Sequence, residues 1–314
     1  MTRLAVTGAS GFVGRETLAL AARERVEVVG VVRSEKGAAA VTRLGARASV
    51  VPRLEAEPLA KAFAGAEAVV HLAMIGRERE GQTYEAVNVQ GTRAVVNAAR
   101  EARVPRVILF SGLGVAHYGM TRRCTNRYFL SKLSAEVELF RSDREAVVFR
   151  PSYIVGPGDG VVRNLLVDMA GGEVARVGDG RYRMQPVAVA DAAAAVLASA
   201  ASPPPGSVAP HRVFDFVGPE PVSFQAFVER TAAAARAAGL PADFRVREVS
   251  IEEAERAAAA GGFRGMGPDD VDILLCDEVS DPAPLVGLLG RPLTPLDEAI
   301  ATAVRGAAAT APAR

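Results

Sequence analysis

Residues 6 to 14 read VTGASGFVG: the apolar run Leu4 to Val6 enters three glycines spaced three apart, and the apolar-periodic stretch Phe12, Val13, Leu18, Leu20 leaves them. A strand that turns this tightly into a helix constrains the fold more than any other feature, because it opens a strand–helix–strand crossover unit. Gly8 permits the turn, Gly11 lets the backbone approach a phosphate group, and Gly14 allows the helix to lie close on the strand. Ser10, Phe12 and Val13 complete the loop, and the helix N-terminus that follows favours an anion.

The rest of the first half repeats the rhythm. Apolar strands at about residues 3 to 7, 26 to 32, 48 to 51, 67 to 72, 106 to 110 and 146 to 150 alternate with helical-period segments. This pattern predicts an α/β fold with a doubly wound parallel sheet covered on both faces. A dinucleotide-binding domain is expected over residues 1 to 151. From about residue 152 shorter elements and turn signals such as GPGDG (156 to 160) predict a smaller, interleaved C-terminal substrate lobe over 152 to 314. The stretch 186 to 217, which includes the strand-like HRVFDFVG (211 to 218), is expected to return to the first domain. ASPPPG (201 to 206) reads as a loop and GAAATAPAR (306 to 314) as a frayed tail.

Composition narrows the partners. The 314 residues carry 37 basic and 36 acidic side chains in mixed order, net +1, so there is no electrostatic footprint for nucleic acid or an anionic membrane. Two distant cysteines, Cys124 and Cys276, and three histidines give no metal-ligand spacing. Reduced thiols, no structural metal and a cytoplasmic location are expected, since the N-terminus enters a strand without a signal-peptide pattern and no apolar run reaches the ~18 residues of a membrane span.

Further blocks follow in order: AVVHLA (68 to 73), NVQGTRAVVNAAR (88 to 100), RVILFSG (106 to 112), YFLSK (128 to 132), FRPSYIVGPGDG (149 to 160) and QPVAVAD (185 to 191). With the glycine loop they resemble the short-chain dehydrogenase/reductase superfamily, in its extended branch of NAD-dependent epimerase/dehydratase-like proteins. The resemblance covers roughly the first 190 residues and implies a Rossmann fold, an NAD(P) cofactor and a small-molecule substrate. By that resemblance, Leu72, Ala73 and Pro151 border the dinucleotide, Asn88 supports the active-site helix, and Asp191 opens a helix. Met74, Ile75, Tyr84, His117, Tyr153 and Asn164 fall in stretches that line the family's substrate pocket. Members often pair through helices that include the one carrying Tyr128, so a homodimer is a possible assembly.

The second strand decides between the two dinucleotides. An acid at its end would hold the ribose hydroxyls of NAD, and an arginine would accept the extra phosphate of NADP. The strand VEVVGVV ends in Arg33, Ser34, Glu35 and Lys36. Arg33 can pair a phosphate through two N–H groups, with Ser34 and Lys36 as further donors, so NADP(H) is favoured; Glu35 keeps NAD(H) open. Arg53 follows the third strand where the family usually carries an acid.

Tyr128 and Lys132 stand four apart, which puts a phenol and an ammonium on one helix face. A phenol titrates near pH ~10, and a neighbouring cation would lower that value. The resemblance gives Tyr128 the proton exchange with the substrate oxygen and Lys132 the nicotinamide ribose. The third member of the set is less regular: LFSGLG places Ser111 at the end of the fifth strand but Gly112 where the family usually has Ser or Thr. Ser111, His117, Tyr118 or a backbone N–H are the candidate replacements. The leading expectation is an NADP(H)-dependent oxidoreductase that reduces a carbonyl or related group. The alternatives are a catalytically incomplete NADP(H)-binding regulator or scaffold and an NAD-dependent sugar-nucleotide epimerase or dehydratase.

Overall fold

The computed structural model describes residues 3–116, 126–201, 211–261 and 266–310. Its first strands are β1 (Arg3–Thr7), β2 (Glu27–Val32), β3 (Arg47–Val50), β4 (Ala68–His71), β5 (Arg106–Phe110) and β6 (Glu145–Pro151). Short strands follow, β7 (Ile154–Val155), β8 (Glu173–Val177), β9 (Arg183–Met184) and β10 (Val187–Ala188), and then β11 (His211–Phe216), β12 (Val222–Ser223) and β13 (Arg245–Val249). Seven strands form one parallel sheet in the order β11-β6-β5-β4-β1-β2-β3. The order reverses between β1 and β4, and in such sheets the crevice that takes a ligand lies there, beyond the carboxyl ends of the strands.

Both faces are covered, so the central strands are apolar throughout. Leu4 and Val6 of β1 point to one side and Ala5 to the other, following the two-residue period of a strand. The first side packs against α1 (Phe12–Arg23) and α2 (Glu35–Thr42); the second packs against α3 (Ala56–Phe63), α4 (Gln90–Glu101) and α5 (Arg127–Phe140). After α6 (Gly160–Ala170), α7 (Val189–Ala201) returns to the first side beside α1. Phe110, Phe149 and Phe216 meet across β5, β6 and β11 with centroids 5.1–5.9 Å apart.

Arg106 fastens this side of the sheet. Its buried guanidinium bonds Glu145 Oε2 at 2.8 Å and the carbonyls of Ser199 and Ala200 at 2.7 and 3.0 Å, placing a cation at the C-terminus of α7. Glu145 also accepts from Arg212 at 3.1 Å, so one carboxylate ties β5, β6 and β11 together.

A smaller lobe has its own apolar core between α6, α8 (Phe224–Ala237) and the last helix. Beside it, β8 pairs with β13 and packs on α9 (Ile251–Ala259) and α10 (Pro268–Leu274). α11 (Ala283–Leu289) goes back to the large sheet, where Leu285 joins its core, and α12 (Leu296–Thr310) closes the lobe. The expected tail from residue 306 is therefore helical to Thr310, because Ala303 and Val304 are buried in this core and carry the helix onward. Asp191 does not open α7 as a cap. It lies fully buried in the first turn, accepts from Thr294 N at 2.8 Å and pairs with Arg291. Among the described residues no helix is long and apolar enough to cross a membrane. His117, Tyr118, Cys124 and most of the 201 to 206 loop lie outside the described residues.

Candidate active site

The glycine loop builds one wall of the crevice. Gly8 has φ +69°, and a Cβ on it would stand 2.8 Å from the backbone of Leu72 and Ala73 as the chain leaves β4. A Cβ on Gly14 would stand 2.5 Å from Gly8 O, which is why α1 can sit this close to the loop. Gly11 N donates to Gly8 O at 2.9 Å, and Gly11 caps α1 without a side chain. The first N–H groups of α1 are thus left for a ligand, in a cradle that side chains at Gly8 and Gly14 would fill. Those features fit a pyrophosphate. Gly8→Ala should lower unfolding stability by at least about 1–2 kcal/mol from the left-handed backbone alone, and weaken dinucleotide binding more than tenfold. Urea denaturation and an NADPH titration of the same variant check both.

Past β2, Arg33, Ser34, Glu35 and Lys36 are exposed. Ser34 Oγ accepts from Gly37 N at 3.3 Å and caps α2, whose first turn touches the loop, since a Cβ on Gly37 would be 3.4 Å from Ser10 Oγ. The guanidinium groups of Arg33 and Arg53 make no hydrogen bond or ion pair with a described residue, and both are exposed.

Across the crevice, α5 presents Tyr128 and Lys132. Asn126 caps the helix, its side chain accepting from Phe129 N at 3.1 Å. Lys132 is buried, donates to Phe110 O at 3.2 Å, contacts Met74 Sδ at 3.1 Å and lies 5.4 Å from the centroid of the Tyr128 ring. Burial pulls its ammonium down to about 7, opposed by the charge of Glu136 one turn on. Glu136 is itself fully buried and clamped by Arg150 through Nε at 3.0 Å and Nη2 at 2.6 Å.

The phenol moves the other way from the sequence expectation. Burial, and then the charges of Glu278, Tyr84 and Asp270, hold Tyr128 well above its ordinary value, and Lys132 does not pull it down. The physical reason is that the ring is desolvated and faces acidic groups, while its cationic neighbour is itself penalised by burial. Tyr128 therefore carries its proton at neutral pH.

A polar chain holds this wall in place. Asn88 Nδ2 donates to Ile75 O at 3.0 Å and to Ser131 Oγ at 2.9 Å, and its Oδ1 accepts from Ile75 N at 2.8 Å. The segment after β4 is thereby locked to α5. Asn88 projects from a π-helical turn (Glu85–Val89), an insertion that re-aims a side chain. Behind it, His71 bridges Thr7 Oγ1 at 2.8 Å and Thr92 Oγ1 at 3.1 Å. Thr92 donates onward to Asn88 O at 2.6 Å, so His71 gives Nε2–H to Thr92 and receives from Thr7 at Nδ1. Burial, aided by the Lys132 charge, lowers His71 to about 3 and keeps it neutral.

Ser111 sits at the end of β5 with its backbone N–H on Phe149 O at 2.7 Å. Its hydroxyl is sealed from solvent and bonds no described residue. At Gly112 a Cβ would stand 3.8 Å from Tyr128 Cε1, so a side chain there would lie against the phenol, and glycine leaves that place without a hydroxyl. Pro151 ends β6 beside Phe216. Tyr84 packs 6.0 Å from Tyr128 and donates to Gly76 O at 3.1 Å. Tyr153 and Asn164 line a cavity in the smaller lobe. Sequence reasoning had no signal for Glu278, whose charge reaches Tyr128 from a loop near the far end of the chain, nor for the Glu136–Arg150 clamp, which joins a buried carboxylate to a half-buried guanidinium 14 residues away.

The model of the NAD dependent epimerase/dehydratase family matches residues 4–210, from β1 to the threshold of β11. The chain belongs to that family.

Within it, a 4-hydroxy-2-methyl-3-oxo-4-farnesyl-3,4-dihydroquinoline-1-oxide ketoreductase of Stigmatella aurantiaca is 30% identical over 222 residues, 66% of each chain. A ceramide reductase of Caulobacter vibrioides is 29% identical over 205 residues, 65% of this chain and 63% of that one. The matches thus span just under two thirds of these relatives' own lengths. Among solved structures, a Thermus thermophilus UDP-glucose 4-epimerase in complex with NAD superposes with a TM-score of 0.75 at 18% identity, covering 99% of this chain and 100% of that one. That likeness concerns the fold. Both relatives carry the names of reductases, within a family named for its dependence on NAD.

Proposed function

We propose that the chain is an NADP(H)-dependent reductase of a ketone-bearing small molecule, with Tyr128 as the general acid. The observation that carries this reading is the protonated, half-buried phenol on α5, set beside buried Lys132 and across the crevice from the glycine loop. A bound dihydronicotinamide supplies the hydride that, with one proton, turns a carbonyl into a secondary alcohol. Gly8, Gly11, Gly14 and the start of α1 would hold its pyrophosphate, Leu72 and Ala73 its underside, and Arg33 its ribose phosphate.

Tyr128 gives its proton to the oxygen as negative charge develops there. A phenol that keeps its proton at neutral pH has it available to give, as reduction requires. Lys132, 5.4 Å from the centroid of the Tyr128 ring, would hold the nicotinamide ribose. With glycine at 112, the proton donor is not assisted by a neighbouring hydroxyl, and Ser111 is sealed beneath the site. The two relatives named as reductases support the same direction.

The absence of a side chain at Gly112 favours one competing reading, a dinucleotide-responsive regulator without turnover. NADPH consumption matched mole for mole by alcohol formation supports the reductase; binding of NADPH with no turnover of any ketone supports the regulator. Arg33→Ala should weaken NADPH about tenfold or more, the loss of a charge-assisted phosphate pair of roughly 1.5–3 kcal/mol, and change NADH affinity less than twofold. Equal losses for both dinucleotides in a fluorescence titration would remove Arg33 as the phosphate ligand.

A further inference from the structure

The smaller lobe encloses a cavity of about 240 Å³ between α6, β8, β9 and α10. Leu165, Val177, Phe224, Met184 and Leu274 give it apolar walls, with Asn164 at an exposed edge. Tyr182 stacks on Phe224 at 5.6 Å, and burial raises its phenol.

The cavity lining is tied to the wall that carries Tyr128, since α10 meets the start of α5 where Asn126 donates to Asp269 O at 2.8 Å. Met184 is bridged through its backbone to Glu278, whose charge acts on the Tyr128 phenol, and Arg77 at the rim pairs with Asp270, whose charge also reaches Tyr128. Both Nε and Nη2 of Arg77 are held at 2.9 Å by Asp270. Hydrocarbon placed against the walls would bury apolar surface. The volume holds on the order of eight water-sized groups, enough for an alkyl chain of moderate length.

We infer that this cavity is the tail subsite of the enzyme, and that its substrate is an uncharged ketone carrying an alkyl or similarly apolar chain. The inference rests on the reductase reading, with the carbonyl at Tyr128 and the tail in the smaller lobe. Met184 and Met266 suit such a wall, since thioethers adapt to irregular apolar shapes.

The test uses the full chain with methyl ketones lengthened from butanone to decanone. Calorimetric titration in the presence of NADP+, which cannot reduce them, reads binding; NADPH consumption reads turnover. Each added methylene should tighten Kd and raise kcat/KM about threefold to fourfold until the cavity is full. Leu165→Arg should flatten the series. Asn164→Trp, at an exposed position, should shift its plateau to shorter ketones even where the first variant fails to fold. A flat series, or UDP-glucose binding tenfold more tightly than decanone, overturns the inference. The two readings fail separately. Reduction of diacetyl with a flat chain-length series keeps the reductase and discards the tail subsite; a steep, variant-sensitive binding series without any NADPH consumption keeps the subsite and discards the reductase.

Discussion

Tyr128→Phe should lower kcat/KM for ketone reduction by about a hundredfold to ten-thousandfold, the range for a lost general acid, while NADPH affinity stays within twofold. The ring remains, so its contacts with Tyr84 at 6.0 Å and Phe129 at 5.2 Å persist and the fold is not disturbed. Only the hydroxyl is removed. Because burial and the facing acids hold the phenol high, the wild-type rate should show no fall across neutral pH from loss of this proton. A Tyr128→Phe enzyme that turns over at the wild-type rate would move the acid elsewhere.

The second large effect concerns stability and its pH dependence. Lys132 falls from an ordinary value of 10.5 to about 7 on folding. Between those values the unfolded chain binds more protons than the folded one, so unfolding free energy rises with pH. The penalty is complete below about pH 7 and relieved as pH climbs toward 10.5. The shift corresponds to roughly 5 kcal/mol at full extent. Lys132→Met removes the titration. Urea unfolding of both proteins from neutral to alkaline pH should show the variant gaining on the wild type most at the neutral end, with the difference shrinking as pH rises. A constant difference across the series would mean that the ammonium is not penalised. The same variant should lose most ketone turnover.

The central strands of the sheet were legible in the sequence because they are buried on both faces and so read as continuous apolar runs. β1 and β5 match their expected limits, and the others lie within one or two residues. The two-residue strands β7, β9, β10 and β12 were not legible, since pairs of residues carry no period. The glycine loop and the Tyr128–Lys132 face could be read because each depends on local spacing. The chain from Thr7 through His71 and Thr92 to Asn88 could not, as it joins residues 64 and 21 positions apart. Nor could the protonation of Tyr128 be read from spacing alone. The four-residue interval places a cation beside the phenol, but burial and Glu278 decide the direction.

The placement of β11 next to β6 sets a condition on how the protein is made. About 60 residues separate the end of β6 from the start of β11, which at roughly 5–20 residues per second is several seconds of synthesis. Through that interval the growing chain has a nearly complete sheet with the amide edge of Val147 to Phe149 open, an edge of the kind that templates association. The residues that later cover it, His211 to Phe216, follow α7 in the chain and are the last strand of this sheet to be made. A chain stopped between these two points would bear its cofactor-side machinery intact and yet be prone to aggregate.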